Sequence, residues 1–197
     1  MIIARNFFVL IFFYFSIISF SWSKSASELI STITNEASSI LSSKLTEEEK
    51  IIQLKKLGMN SVDIEGVGLY TLGKYRKTLN EDQKKQFQEL FKNYFLKSFA
   101  GRLVAYSDAK IAILSEEIKN EKYTIVYTKL IGTSDRPEVK IDWRVYTKNL
   151  ENPLIRDLVI EGLSLARTQK EEFNSIILNN DGSVEALFEN LKKFIEN

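Results

Sequence analysis

The 197-residue chain has no cysteine and no histidine. That removes whole classes of chemistry. Ser-His and Cys-His nucleophile pairs cannot be built. A zinc site would have to be made from carboxylates alone, which is unusual. No disulfide framework can hold the fold, so stability has to come from a packed core. Two prolines argue against a Pro-rich linker between domains. The charge is also close to nothing, with 27 basic and 26 acidic side chains. A general nucleic-acid binder needs an excess of cations to displace counterions, so none is expected as a partner here.

At 44% hydrophobic and 27% charged residues, the composition is that of a globular protein with a substantial core. The first residues stand apart. Arg5 precedes the apolar run Phe7–Phe20, which has the length of a secretory signal and is short for a membrane span. Ser21 and Ser23 flank Trp22, which sets the expected cleavage after Ser23, with Ser25 as the alternative and an uncleaved anchor as the rival reading. Residues 1–23 are therefore expected to be a signal peptide and 24–197 a single domain. Cleavage removes Arg5 and no acid, which leaves the rest electrically balanced.

Residues 27–43 carry Leu29, Ile30, Ile33, Ala37, Ile40 and Leu41 on one helical stripe. Thr46 and Glu49 have the spacing of a capping box for a second helix, with Gly58 as its expected stop. Ser61 is the expected cap of a third helix over 62–75. Asn80 and Gln83 cap a fourth, which carries Phe87, Leu90, Phe91, Tyr94, Phe95 and Phe99 on one face. Gly101 is a possible break, beyond which Leu103 and Tyr106 continue the stripe.

The period then changes from 3.6 to 2. "KIAILSEEI", "KYTIVYTKLI", "EVKIDWRVYT" and "PLIRDLVIEG" read as four strands joined by short polar connections, hence an antiparallel sheet. Val139, Ile141, Trp143 and Val145 alternate with Lys140, Asp142 and Arg144. Ser164 caps a helix carrying Leu165, Phe173 and Ile177, and Val184–Ile195 forms the last helix. Helices, then strands, then helices give an α+β fold, a four-stranded antiparallel sheet with the helices packed on one face.

Three motifs invite a catalytic reading. "GLYTLGKY" matches the spacing of a phosphate loop, but Tyr75 stands where Ser or Thr should hold magnesium and no strand precedes it. A buried helix whose glycines permit close packing accounts for it better. "EGLSL" lacks the last glycine of a nucleophile elbow, and Ser164 reads as a helix cap. Glu116–Glu117 and Glu171–Glu172 are adjacent pairs whose side chains diverge, so neither forms a two-carboxylate site alone. The aromatic stripe is the stronger signal. It fits a solid core or the wall of an apolar cavity between helices and sheet, and periodicity alone does not separate the two.

Three stretches resemble the MlaC-type periplasmic phospholipid-binding proteins: "LGKYR" (Leu72–Arg76), "FQELFKNYFLKSFAGRLVAY" (Phe87–Tyr106) and, most specifically, "DLVIEGLSLARTQKEEF" (Asp157–Phe173). The last is similar to the family's D-x-x-[apolar]-E-G-[apolar]-S-L…R-x-x-F ending. Pro153, Gln169 and Lys170 depart from the Trp, aromatic and Arg common in the family at those places.

The resemblance spans about residues 27–194. It implies a periplasmic carrier, not an enzyme, without cofactor or metal. Its partners would be phospholipid acyl chains, an inner-membrane ABC transporter with a ring of MCE domains, and an outer-membrane lipoprotein–porin complex. Combined with inward-facing periodicity, it nominates Val67, Tyr70, Phe95, Phe99, Leu103, Ile125, Tyr127, Ile141, Trp143 and Val145 as lipid-binding cavity lining. Lys74 and Arg76 are candidates for the head-group mouth, with solvated surface as the plainer reading. Two rivals remain. One is a periplasmic adaptor with a solid core. The other is a nuclear-transport-factor-like hydrolase or isomerase, which requires a buried carboxylate on the sheet face of Trp143.

Overall fold

Ser25 opens the fold as a cap, its hydroxyl accepting the Glu28 N–H at 3.0 Å, and helix α1 (Ala26–Ser42) follows. The structure is a computed structural model that describes residues 25–104, 110–134 and 136–197. The expected signal peptide and Tyr106 lie outside the described residues.

The capping box of α2 (Glu47–Ser61) forms as its spacing predicts. Glu49 N–H donates to Thr46 Oγ1 and Thr46 N–H donates to Glu49 Oε2. Gly58 does not stop the helix. It is buried inside α2, where a Cβ would lie 3.0 Å from the Phe99 ring, so the position is small to admit a neighbour rather than to end a helix. Ser61 is likewise not the next cap, since its hydroxyl donates back to the Leu57 carbonyl. Asp63 caps α3 (Ile64–Thr71) instead, through the Gly66 N–H at 2.9 Å.

A 3-10 turn (Gly73–Lys77) follows, and Asn80 and Gln83 then exchange bonds to start α4 (Glu81–Val104). Gly101 leaves α4 unbroken. Gly68 permits close packing as expected, because a Cβ there would sit 2.8 Å from the Phe91 ring.

Strands β1 (Ile111–Asn120), β2 (Tyr123–Leu130), β3 (Val139–Tyr146) and β4 (Leu154–Ile160) form an antiparallel sheet in sequence order. A fifth strand, β5 (Leu163–Ser164), adds to β4, so the sheet has five strands and not the four expected. Helices α5 (Leu165–Leu178) and α6 (Val184–Glu196) close the chain.

Neighbouring elements in space explain the layering. The sheet's helical neighbours are α1, α3 and α5, while α4 lies against α2, α3 and α6. The hydrophobic core joins all of them: Ile30, Leu54, Val126, Val145, Ile177, Leu187 and Leu191 have no exposed surface. Each such side chain contributes roughly 1.5–3 kcal/mol on burial, which is where stability without disulfides has to come from.

Candidate functional site

The C-terminal motif turns out to be a hairpin joined to a helix cap. Ile160 pairs with Leu163 and Val159 with Ser164, so Glu161 and Gly162 are the two central residues of the turn. Both have positive φ, 48° and 82°, the backbone pattern that matches a tight hairpin to the twist of its strands. Glycine takes the second position at little cost. Glu161 is held from both sides, its N–H donating to the Lys140 carbonyl at 3.0 Å and its carboxylate accepting the Lys140 N–H at 2.6 Å.

Asp157 locks the corner. Its side chain is 7% exposed; Oδ2 accepts from Ser164 Oγ at 2.6 Å and from Arg144 Nη1 at 3.2 Å, while Oδ1 accepts the Ala166 N–H at 2.9 Å. Ser164 in turn accepts the Arg167 N–H. The start of α5 is thereby fixed to β4 by a charge-assisted network, and α5 is directed onto the sheet.

Cross-strand register decides which sheet residues face the helices. Val126 pairs with Trp143, Thr124 with Val145, Thr128 with Ile141 and Leu130 with Val139, and directly opposed residues share a face. Trp143 pairs onward with Leu158 and Ile141 with Ile160. Val126, Val145 and Ile155 are buried in the core, so this is the helix-facing side.

Cover over it is uneven. Thr124, Val126, Thr128, Leu130, Val145 and Ile155 are buried, whereas Val139, Ile141, Trp143, Leu158 and Ile160 are half-buried. The indole N–H of Trp143 donates to Thr128 Oγ1 at 2.9 Å, and that hydroxyl donates to the Ile141 carbonyl. The ring's one polar group is thus satisfied within the sheet, and its apolar surface packs against the edge of the core.

The helical wall is unevenly covered as well. Along α4, Phe87, Phe91, Phe95 and Phe99 stack in sequence at centroid distances of 5.6, 6.2 and 5.8 Å. Phe87 and Phe91 are 1% and 2% exposed, while Phe95 and Phe99 are half-buried. Leu103 and Val104 continue half-buried beyond them. Tyr94 borders the ladder with its hydroxyl donating to Gln169 Oε1 at 2.7 Å, and burial, then the nearby Glu172, push its pKa up, so it stays a neutral donor.

The nominated residues therefore separate. Ile141 and Trp143 lie half-buried on the helix-facing side of the sheet, and Phe95, Phe99 and Leu103 lie half-buried on α4. Val145 shares the sheet face but is fully buried, and Val67 is buried core. Tyr70 is 41% exposed on α3, its ring 5.2 Å from Lys170 Nζ.

Ile125 and Tyr127 require correction. They pair with Arg144 and Asp142, which places them on the opposite sheet face. Tyr127 donates its hydroxyl to Glu117 at 2.7 Å, a bond that raises its pKa. The buried phase of β2 is Thr124, Val126, Thr128 and Leu130. Leu158 and Ile160, not nominated, belong with Trp143; their register partners were the missing signal.

The site has little to do chemistry with. Among the described residues, no group of three or more carboxylates could hold a metal. Glu116 shares the face of Val126, but it is exposed at the sheet edge and accepts from the N–H and hydroxyl of Ser27 at 2.9 and 2.6 Å. The described surface depressions lie elsewhere. One, of about 200 Å³, is lined by Ile64, Gly68, Gln88 and Lys92 between α3 and α4; a wider one, of about 700 Å³, lies between α5 and α6.

Comparison with known proteins agrees with the fold. The sequence model of the family described as MlaC protein matches residues 24–193. No curated protein matches the chain in sequence. A phospholipid-binding protein from Ralstonia solanacearum, solved in complex with a phospholipid, superposes with a TM-score of 0.72 at 18% identity, covering 87% of this chain and 97% of that one.

Proposed function

This chain belongs to the MlaC family, and on that premise we propose that it is a phospholipid carrier whose acyl chains lie between the half-covered end of the sheet and the C-terminal half of α4. The observation that carries the reading is the set of half-buried apolar side chains on the two walls. The Phe87–Phe99 ladder passes from full burial to half-exposure, and Val139, Ile141, Trp143, Leu158 and Ile160 are half-buried on the sheet face beside the buried Thr128 and Leu130. Half-exposed aromatic and branched side chains on two layers of one core are a standing cost that hydrocarbon would remove. The phospholipid held by the Ralstonia solanacearum protein of the same fold supports the choice of ligand.

Energetics suit a shuttle. Each methylene taken from water contributes about 0.8 kcal/mol, so ten supply about 8 kcal/mol. A bilayer shelters the same chains about equally well, which keeps the net transfer free energy small and lets a protein partner set the direction. A carrier of this kind binds and releases without bond chemistry, in keeping with a chain that has no histidine or cysteine.

The proposed setting is the periplasm, reached through a cleaved signal peptide, and the proposed partners are an outer-membrane lipoprotein–porin complex and an inner-membrane ABC transporter with MCE domains. The position of Ser25 favours cleavage after Ser23. Cleavage after Ser25 would remove the α1 cap and leave a charged amino group on Ala26, which is 4% exposed.

The test is organic extraction of the protein purified from cells without detergent, followed by mass spectrometry of the extract. Phospholipid in near-stoichiometric amount is expected. Protein that comes away with no lipid, and takes none up from vesicles, would point to an adaptor that binds protein partners only.

A further inference from the structure

The 3-10 turn and the first half of α5 meet where Lys170 packs on Gly73, and together they carry five cations. Lys74, Arg76 and Lys77 belong to the turn, Arg167 and Lys170 to α5 one helical turn apart. None of the five makes an ion pair among the described residues, although Arg156, Arg144, Lys84, Lys119, Lys129 and Lys192 elsewhere do.

The cluster is built rather than incidental. Gly73, at φ +56°, has no side chain, and the aliphatic stem of Lys170 fills the space; a Cβ there would meet its Cε at 3.0 Å. Lys170 Nζ then lies 5.2 Å from the centroid of the 41%-exposed Tyr70 ring, and Lys74 Nζ 5.1 Å from that of Tyr75. The neighbouring acids are few. Glu65 on α3 accepts from Gln88, and Glu171, next to Lys170, projects about 100° around α5 from it.

We infer that this surface docks the protein on an anionic bilayer. None of the five cations lines either of the two depressions described above. Three of the five cations are lysines, point charges on flexible stems that suit a dense, fluid anionic surface better than the fixed bidentate geometry of a protein carboxylate. Two tyrosines at the base of the patch are amphipathic groups of the kind that settle at the headgroup level. A chain balanced in charge outside its first 23 residues gains such attraction only by concentrating cations locally, and the patch does so. The inference deepens the carrier reading, since it supplies the surface that meets the membrane, but it can fail while that reading stands.

Co-sedimentation of the full processed chain with vesicles tests it. Vesicles of phosphatidylethanolamine alone are compared with vesicles that also contain phosphatidylglycerol. The triple variant Lys74→Glu, Arg76→Glu, Lys77→Glu changes three exposed residues, and leaves Lys170 alone because its stem is packed. A control, Lys85→Glu, Lys122→Glu, Lys148→Glu, alters net charge equally at exposed positions elsewhere.

Binding of the wild type should require phosphatidylglycerol and fall with added salt. It should drop by about tenfold or more in the triple variant and much less in the control. Equal binding to both vesicle types, or equal loss in both variants, overturns the membrane surface. If anionic vesicles are ignored while an acidic protein surface is bound in a patch-dependent way, the partner is protein and the inference is wrong. Loss of extracted lipid from the wild type would instead strike at the carrier reading.

Discussion

Asp157 is the residue on which the strand-to-helix corner depends. One nearly buried carboxylate accepts from a hydroxyl, a backbone N–H and a guanidinium, so it ties β4, β3 and the first turn of α5 together. Asp157→Ala would leave the Ala166 N–H and the Ser164 hydroxyl without that acceptor in a half-buried place. The expected cost is about 2–3 kcal/mol, read as a lower midpoint in urea unfolding followed by circular dichroism. Asp157→Asn keeps one oxygen and should lose less. An alanine variant as stable as the wild type would mean that the hairpin turn alone directs α5. The sequence showed this motif but not its reason. Asp157 and Ser164 are seven residues apart, a spacing with no helical or strand meaning until the Glu161–Gly162 turn brings them side by side.

At the scale of elements, helices were legible and strand faces only partly so. The capping boxes at Thr46–Glu49 and Asn80–Gln83 formed because a cap is local: donor and acceptor lie three residues apart wherever the helix packs. Gly58 and Ser61 misled because their roles are not local. Gly58 is small for Phe99, which is 41 positions along the chain, and Ser61 turns its hydroxyl back onto its own helix.

The sheet failed in the same way at β2. Its two phases, Tyr-Ile-Tyr and Thr-Val-Thr, are both acceptable inside, and apolarity favoured the wrong one. Thr128 is buried because it bonds the Ile141 carbonyl and receives the Trp143 indole, partners that belong to β3. Strand β3 was read correctly because its other phase carries Lys140, Asp142 and Arg144.

The ladder on α4 gives the element-scale prediction. Phe91→Ala, at a position 2% exposed and packed on Gly68, should cost about 3–5 kcal/mol. Phe95→Ala, half-buried, should cost clearly less yet lower the lipid extracted per protein. If the two variants lose stability equally and lipid not at all, the open half of the ladder is plain core.

At the scale of the whole molecule, the proposed carrier role requires hydrocarbon to enter between layers that already share one continuous hydrophobic core. The close neighbours of α4 are α2, α3 and α6 and those of the sheet are α1, α3 and α5, but α1 packs on α2, α5 on α6, and α4 meets α5 through Phe91–Phe173 and the Tyr94–Gln169 bond. An opening between the two walls of the candidate site therefore has to shift α4 against α3 and α5. Such an opening is a shift between two packings, and a ligand can favour it only by binding the open one better.

The molecule carries its own reporter for this. Of its two tryptophans, Trp22 lies in the expected signal peptide, so the processed chain keeps Trp143 alone, half-buried on the sheet wall. Loading delipidated protein with phospholipid should shift its emission to the blue and shield it from acrylamide. Phospholipid brominated on the acyl chains should quench it strongly, and head-group-labelled lipid should not. Quenching by neither, with acrylamide access unchanged on loading, would place the lipid away from this wall. Phe95→Ala would then be expected to leave lipid content untouched as well, so the two measurements stand or fall together on where the acyl chains lie.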